Sequence, residues 1–367
     1  MTRKTVLVAG ATGLVGYAAL KHFRTEPDTD VIAVSRRVPH DLRGATHVAV
    51  DLTDPNACAQ LADLLTNVTH LVYAALYELP GLVDGWRNQA QIETNDRMLR
   101  NLLEPLARAA VNLRHVTLLQ GTKAYGVHVR PLTVPAREGR SELRAQPNFY
   151  WNQEDYLRTR QRDAAWHFTI LRPVLIVGEA IGGAMNLIPA LGVHAALLRE
   201  QGQALPYPGG AARVGQAVDA DLLARAIAWA GRTEAARNET FNVTNGDVFV
   251  WENIWPAIAE AMGMDGTARR PFSLRGHLAP AGIAAWDAIR TRHGLSSPGL
   301  EAFVGLSLEY ADYQMRHGQD APGPPAIVST IRIMQAGFTE VMDTEAMFRK
   351  WFGVYQDRSW LPKPTGG

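Results

Sequence analysis

Thr5-Val-Leu-Val-Ala-Gly10-Ala-Thr-Gly13-Leu-Val-Gly16-Tyr-Ala-Ala-Leu-Lys-His-Phe23 is the stretch on which the fold turns. A run of aliphatic and β-branched residues ends at one glycine, and a helical run begins at the third, so the order is strand, turn, helix. Each glycine has its own reason. Gly10 lets the chain turn sharply, Gly13 lets backbone approach a bound anion, and Gly16 lets the helix pack close to the strand. The helix N-terminus then presents unpaired N–H groups and the positive end of its dipole. This arrangement suits the pyrophosphate of a dinucleotide, with Gly10, Thr12, Gly13, Leu14, Val15 and Gly16 as the expected contacts. The plain alternative is an ordinary tight turn, which the flanking strand and helix disfavour.

Outward from this motif, Val31 to Ser35, His47 to Val50, His70 to Ala74, His115 to Gln120 and Phe168 to Leu171 read as further strands with helical patterns between them. Continuous apolar strands alternating with helices predict an α/β fold: a doubly wound Rossmann parallel sheet, with a smaller, mainly helical C-terminal substrate lobe. After Arg172-Pro173 the rhythm changes to Gly- and Pro-punctuated helices. Thr240 to Val243 reads as a strand rejoining the sheet. The expected division is 1–180 with 211–248 as the dinucleotide-binding Rossmann domain and 181–210 with 249–360 as the substrate-binding lobe.

The end of the second strand selects between nicotinamide cofactors. A free ribose 2′-hydroxyl is matched by a carboxylate about 20 residues beyond the glycines, whereas a 2′-phosphate calls for cations. The residues there are Ser35-Arg36-Arg37, which predicts NADPH/NADP+. Asp51 and Leu52, after the third strand, are placed for the adenine edge, although Asp51 could equally cap a loop. Ala74 and Ala75 are small enough for a cofactor to lie over the strand ends, and small residues also simply pack sheets.

Reduction needs a group that stabilises a developing oxygen charge, a role that suits a Tyr hydroxyl helped by a Lys ammonium that lowers its pKa. The familiar Tyr-x-x-x-Lys spacing is absent: Asn148-Phe-Tyr150-Trp-Asn-Gln-Glu154-Asp155 has Glu four residues after Tyr150. A lysine candidate lies instead in Gln120-Gly-Thr-Lys123-Ala-Tyr125, at a strand's C-terminal end. Together with Gly10 to Gly16, Ser35 to Arg37 and the closing Ser329 to Phe338 segment, these motifs resemble the progesterone 5β-reductase/iridoid synthase-like family, an atypical branch of the short-chain dehydrogenases. Two departures stand out: the Gln120-Gly-Thr order, and Trp151 where plant members commonly have a second Tyr. The resemblance implies that Tyr150 hydrogen-bonds a carbonyl oxygen while hydride reaches the β-carbon, and that Lys123 assists. It also implies cofactor contacts from Gln120, Lys123, Tyr150, Pro173 and Val174, and a bracing role for Asn95. The apolar residues of Ile181 to Leu191 are expected in the substrate pocket.

The bulk composition narrows the partners. Lys+Arg of 37 against Asp+Glu of 36 gives a net charge of +1, which offers no field for nucleic acid or an anionic membrane. A single cysteine, Cys58, and the lack of a signal-like start predict a cytoplasmic chain without disulfides. No stretch has the roughly 18 apolar residues of a membrane span. His-Glu-x-x-His and Cys-x-x-Cys are missing, so no metal is expected, and no Gly-x-Ser-x-Gly elbow supports a hydrolase. The expected partner is a small apolar enone or enal, and a homodimer is left open. Three alternatives remain: direct carbonyl reduction, nucleotide-sugar epimerase or dehydratase chemistry, and a non-catalytic NADP(H)-sensing binding protein.

Overall fold

In the computed structural model, residues 3–79, 81 and 85–364 are described. The chain divides into two compact units, Met1–Val174 with Ala220–Val243 and Val328–Glu340, and Leu175–Asp219 with Thr244–Ile327 and Val341–Gly367.

The first unit contains strands β1 (Lys4–Ala9), β2 (Thr29–Ser35), β3 (Thr46–Ala49), β4 (His70–Tyr73), β5 (His115–Leu119), β6 (His167–Pro173) and β7 (Glu239–Val243). They form one parallel sheet in the order β7-β6-β5-β4-β1-β2-β3. Val6, Leu7, Val8 and Ala9 of β1 are buried on both faces, as a parallel strand covered by helices requires. Helix α1 (Leu14–Phe23) packs against α4 (Ala220–Ala230), and α2 (Gln89–Ala109) against α3 (Phe149–Gln161). In α2, Ile92, Asn95, Leu99, Leu102 and Leu106 fall at alternating three- and four-residue intervals and are buried. The strand order reverses between β1 and β4, which puts the switch point of the sheet beside Gly10.

The first unit is completed from far down the chain. Helix α5 (Ile331–Gln335) packs on the edge strand β7, Ser329 N donates to Ala136 O at 2.9 Å, and Asn242 Nδ2 donates to Ser329 O at 3.0 Å.

The second unit is mainly helical. Its core contains Trp255, Trp286, Trp351 and Tyr355, each less than 2% exposed. Two short strand pairs accompany the helices: Leu175–Val177 lies parallel to Ala217–Asp219, and Val214–Gly215 antiparallel to Phe249–Val250.

The boundaries expected from sequence shift accordingly. Residues 175–180, 211–219 and 244–248 leave the first unit because 175–177 and 217–219 pair with each other outside the main sheet, and 328–340 enters it by covering β7. Leu187, Ile188, Ala190 and Leu191, expected as pocket wall, are 1% exposed or less and serve as core. Among the described residues no helix is long and apolar enough to cross a membrane, and no group of three or more His, Cys, Asp or Glu could hold a metal ion.

Candidate active site

The glycine turn shows three different constraints. Gly10 has φ 83°, and a Cβ there would lie 2.7 Å from the Ala74 carbonyl oxygen and 2.8 Å from Ala75 Cα. A Cβ on Gly16 would lie 2.1 Å from Gly10 O, so the helix can approach the turn only without a side chain. Gly13 differs: a Cβ there would meet only Gly10 O, at an ordinary 3.5 Å. Nothing among the described residues requires glycine at position 13. Gly13 is also the N-cap of α1 and supplies no side-chain cap, and the first helical bond runs from Tyr17 N to Gly13 O at 2.8 Å. The N–H groups of Leu14, Val15 and Gly16 therefore have no partner among the described residues, which suits an oxyanion.

A cleft opens beside this turn at the switch point. Gly10, Thr12, Ser35, Arg36, Asp51, Leu52 and Ala75 line it, as do Val34, Val50, Thr53, Leu76, Tyr77 and Met98, which the sequence had not singled out. Ser35 Oγ donates to Arg37 O at 2.7 Å and meets His47 Nε2 at 3.3 Å, so this hydroxyl shapes the arginine loop. Arg36 and Arg37 are exposed, and neither guanidinium has a hydrogen bond or ion pair among the described residues. Asp51 Oδ1 accepts from Thr53 N at 2.9 Å and Thr53 Oγ1 at 2.8 Å. The Thr53 backbone and hydroxyl bonds hold its carboxyl below the ordinary range, so Asp51 caps its own loop while facing the cleft.

Beyond Tyr77 the same segment reaches a second cluster. Asn95, fully buried in α2, accepts from Tyr77 N at 2.9 Å and donates to Tyr77 O at 2.8 Å, while Gln91 Oε1 accepts from Leu79 N at 2.7 Å. Asn95 thus braces this backbone. Glu78, held between these two anchors, accepts the Trp86 indole N–H at 3.1 Å. The Lys123 ammonium lies 3.6 Å above the Trp86 ring centroid, and the Tyr150 ring stands edge-on to that indole at 5.4 Å. Sequence reasoning named Lys123 and Tyr150, and the structure gathers both on Trp86. It missed Glu78 and Trp86, which carry no motif.

Tyr150 sits in the first turn of α3, capped by Asn148 Oδ1 accepting from Tyr150 N at 3.0 Å. Its hydroxyl makes no hydrogen bond among the described residues, and a Cβ on Gly121 would lie 3.4 Å from it and 3.4 Å from Pro173 O. A glycine at 121 therefore keeps the space beside the phenol open. Burial holds the Tyr150 phenol above its ordinary range, Glu78 adds to this, and Arg172 acts against it. This corrects the expectation that Lys123 lowers the phenol pKa: desolvation wins, and the hydroxyl stays a proton-bearing donor. Burial pulls Lys123 down to about 8, and Glu78 opposes this.

The side chain of Gln120 is engaged elsewhere. Its amide donates to Tyr150 O at 3.1 Å and Glu154 Oε2 at 3.3 Å and accepts from Arg172 Nε at 2.8 Å, so its side chain is committed inside the protein rather than to a cofactor. Arg172, 1% exposed, also donates to Glu142 Oε1 at 2.7 Å and Glu154 Oε2 at 3.2 Å. In the sequence Arg172 shows only as the point where the rhythm of strands and helices changes. Its network ties β5, β6 and α3 together beneath Tyr150. Val174, the last residue of the unit's first segment, is half-buried.

Comparison with known proteins agrees with this architecture. A family model described as the PRISE-like Rossmann-fold domain matches residues 46–307. The chain is 31% identical over 327 residues to (S)-8-oxocitronellyl enol synthase CYC2 of Camptotheca acuminata, covering 82% of this chain and 80% of that one. It is 27% identical over 391 residues to a short-chain dehydrogenase of Penicillium aethiopicum, covering 98% and 100%. Among solved structures, UDP-glucose 4-epimerase of Thermotoga maritima superposes with a TM-score of 0.67 at 16% identity, covering 96% and 99%, a likeness of fold. A glycine turn at the switch point, a Tyr outside any Tyr-x-x-x-Lys spacing and a match over most of its length thus converge: the chain belongs to the PRISE-like Rossmann-fold family of short-chain-dehydrogenase-type enzymes.

Proposed function

We propose that this enzyme is an NADPH-dependent reductase of the activated C=C bond of small, largely apolar α,β-unsaturated ketones and aldehydes. The observation that carries the reading is the protonated, unspent Tyr150 hydroxyl facing the space left by Gly121, with the Lys123 ammonium on the same indole. A phenol held in its neutral form donates a hydrogen bond to an oxygen that gains charge, and it is poorly suited to the base role that alcohol oxidation or epimerisation demands. When bound, NADPH supplies the hydride. Hydride reaches the β-carbon, Tyr150 stabilises the resulting enolate oxygen with Lys123 adding positive potential nearby, and a proton from solvent at the α-carbon completes the saturated product. The uncapped start of α1 and the spare room at Gly13 fit a pyrophosphate, and the unpaired Arg36 and Arg37 fit a 2′-phosphate.

Two measurements test this. NADPH with 2-cyclohexenone should give cyclohexanone. The allylic alcohol as product would replace the reading with carbonyl reduction, and tight NADPH binding without turnover on a panel of enones and enals would replace it with a binding protein. Replacing both Arg36 and Arg37 by Ala should weaken NADPH by about ten- to a hundredfold and leave NADH little changed; wild-type enzyme that uses both equally would remove the 2′-phosphate assignment.

The glycines give a separate check. Gly16→Ala should destabilise the fold, because its Cβ would lie 2.1 Å from backbone oxygen. Gly13→Ala should melt with the wild type yet bind NADPH about tenfold or more weakly. Unchanged NADPH affinity in Gly13→Ala would place the pyrophosphate elsewhere.

A further inference from the structure

A Trp that only fills a core needs its N–H satisfied and nothing more. Trp86, 2% exposed, has its N–H on the Glu78 carboxylate, and it also carries a lysine ammonium over its face. A carboxylate that accepts an indole N–H pushes electron density into the ring and so makes its face more attractive to a cation. The backbone on both sides of Glu78 is pinned, at Tyr77 by Asn95 and at Leu79 by Gln91, so the carboxylate's place is set by α2.

We propose that Glu78 and Trp86 are positioning residues that form a polarised seat for the Lys123 ammonium beside Tyr150, the carboxylate acting on the ammonium partly through the indole ring. The proposal rests on the reading of Lys123 and Tyr150 given above for the role of the seat, but not for its existence. Among the described residues, the other titratable groups near this site include His128, whose ring lies 6.5 Å from that of Trp86, Arg87, which donates to His128 O, and Tyr150 itself. Burial, then the charges of Lys123 and Arg87, pull His128 down to about 4, so it stays neutral while Lys123 titrates. Burial drives Lys123 toward losing its proton and Glu78 resists, so the seat keeps the side chain cationic near neutral pH.

The chain has five lysines, few enough to follow the Lys123 titration by NMR in protein labelled at lysine Cε and Nζ. Glu78→Gln and Trp86→Leu should each lower the Lys123 midpoint by about one unit, and Trp86→Phe, which keeps a π face without the N–H, by less. The basic limb of the turnover profile should move with it. Coupling through the ring requires that Glu78→Gln shift the midpoint less in a Trp86→Phe background than in the wild type. Equal shifts in the two backgrounds, or a midpoint unmoved in Glu78→Gln and Trp86→Phe, would overturn the seat. Should Trp86→Leu fail to fold, the two conservative variants carry the test. An NMR shift in protein that reduces no enone would retain the seat and remove the reductase reading, so the two failures are distinguishable.

Discussion

Tyr150→Phe lowers turnover on an enone by about a hundred- to ten-thousandfold, the range expected for removing a positioned proton-bearing donor to a developing oxyanion. NADPH affinity should stay within about twofold, because the change removes an interaction made with the substrate oxygen. The fold should survive. The hydroxyl makes no hydrogen bond among the described residues, so its loss leaves no partner stranded, and the ring contacts with Trp86 and Phe149, at 5.4 and 4.8 Å, persist in Phe. Stopped-flow measurement of NADPH oxidation under saturating enone reads the effect directly. A variant as active as the wild type would strip Tyr150 of its role. The pH profile of the wild type offers a companion check. The phenol is held above its ordinary range while Lys123 is drawn to about 8, so Lys123 titrates first as pH rises. The ammonium is present below that value and lost above it, so turnover should decline through pH 8 rather than near 10.

The second large effect concerns stability. Arg172→Leu should cost about 3 kcal/mol, the lower end of the penalty for breaking a buried ion pair, because Glu142 loses its guanidinium partner while Glu154 keeps two others. Glu154, 4% exposed, would keep Arg144 at 2.9 Å and Arg158 at 3.0 Å, both of them partly in solvent, but would lose its buried partner. Gln120 would lose the donor on its carbonyl oxygen while still holding the Tyr150 backbone. Turnover should therefore fall together with the urea midpoint. A midpoint change worth less than about 1 kcal/mol would show that the network is a replaceable packing element. Arg172→Lys should recover little, because a single ammonium cannot serve Gln120, Glu142 and Glu154 from one fork.

These two residues mark what a linear sequence discloses. The strand and helix sequence of the first unit was readable because burial on both faces of a parallel sheet imposes uninterrupted apolar runs, and the glycine turn because a Cβ at Gly10 or Gly16 would strike backbone. Lys123 and Tyr150 came from short motifs set by a strand end and a helix start. Glu78 and Trp86 escaped notice because nothing local constrains them: their meaning comes from a ring contact with a lysine on another strand end. The inward turn of the Gln120 side chain is hidden for the converse reason. Its place at the end of β5 suits a ligand contact, but its amide turns inward to a buried arginine whose demand for acceptors no spacing reveals. The unit boundaries failed where pairing partners were non-local, as with Leu175–Val177 and Ala217–Asp219.

The late return of residues 328–340 to the first unit has a consequence for how the chain is made. On a ribosome, β7 emerges with only upstream cover on its outer rim, as where Asn242 N meets Glu138 Oε1, and stays so while residues 244–327 are synthesised, since α5 and Ser329 come afterward. A partly covered strand rim invites pairing with a neighbouring nascent chain. Premature stops anywhere in that interval should accordingly yield insoluble product, although every strand of the sheet has by then been translated.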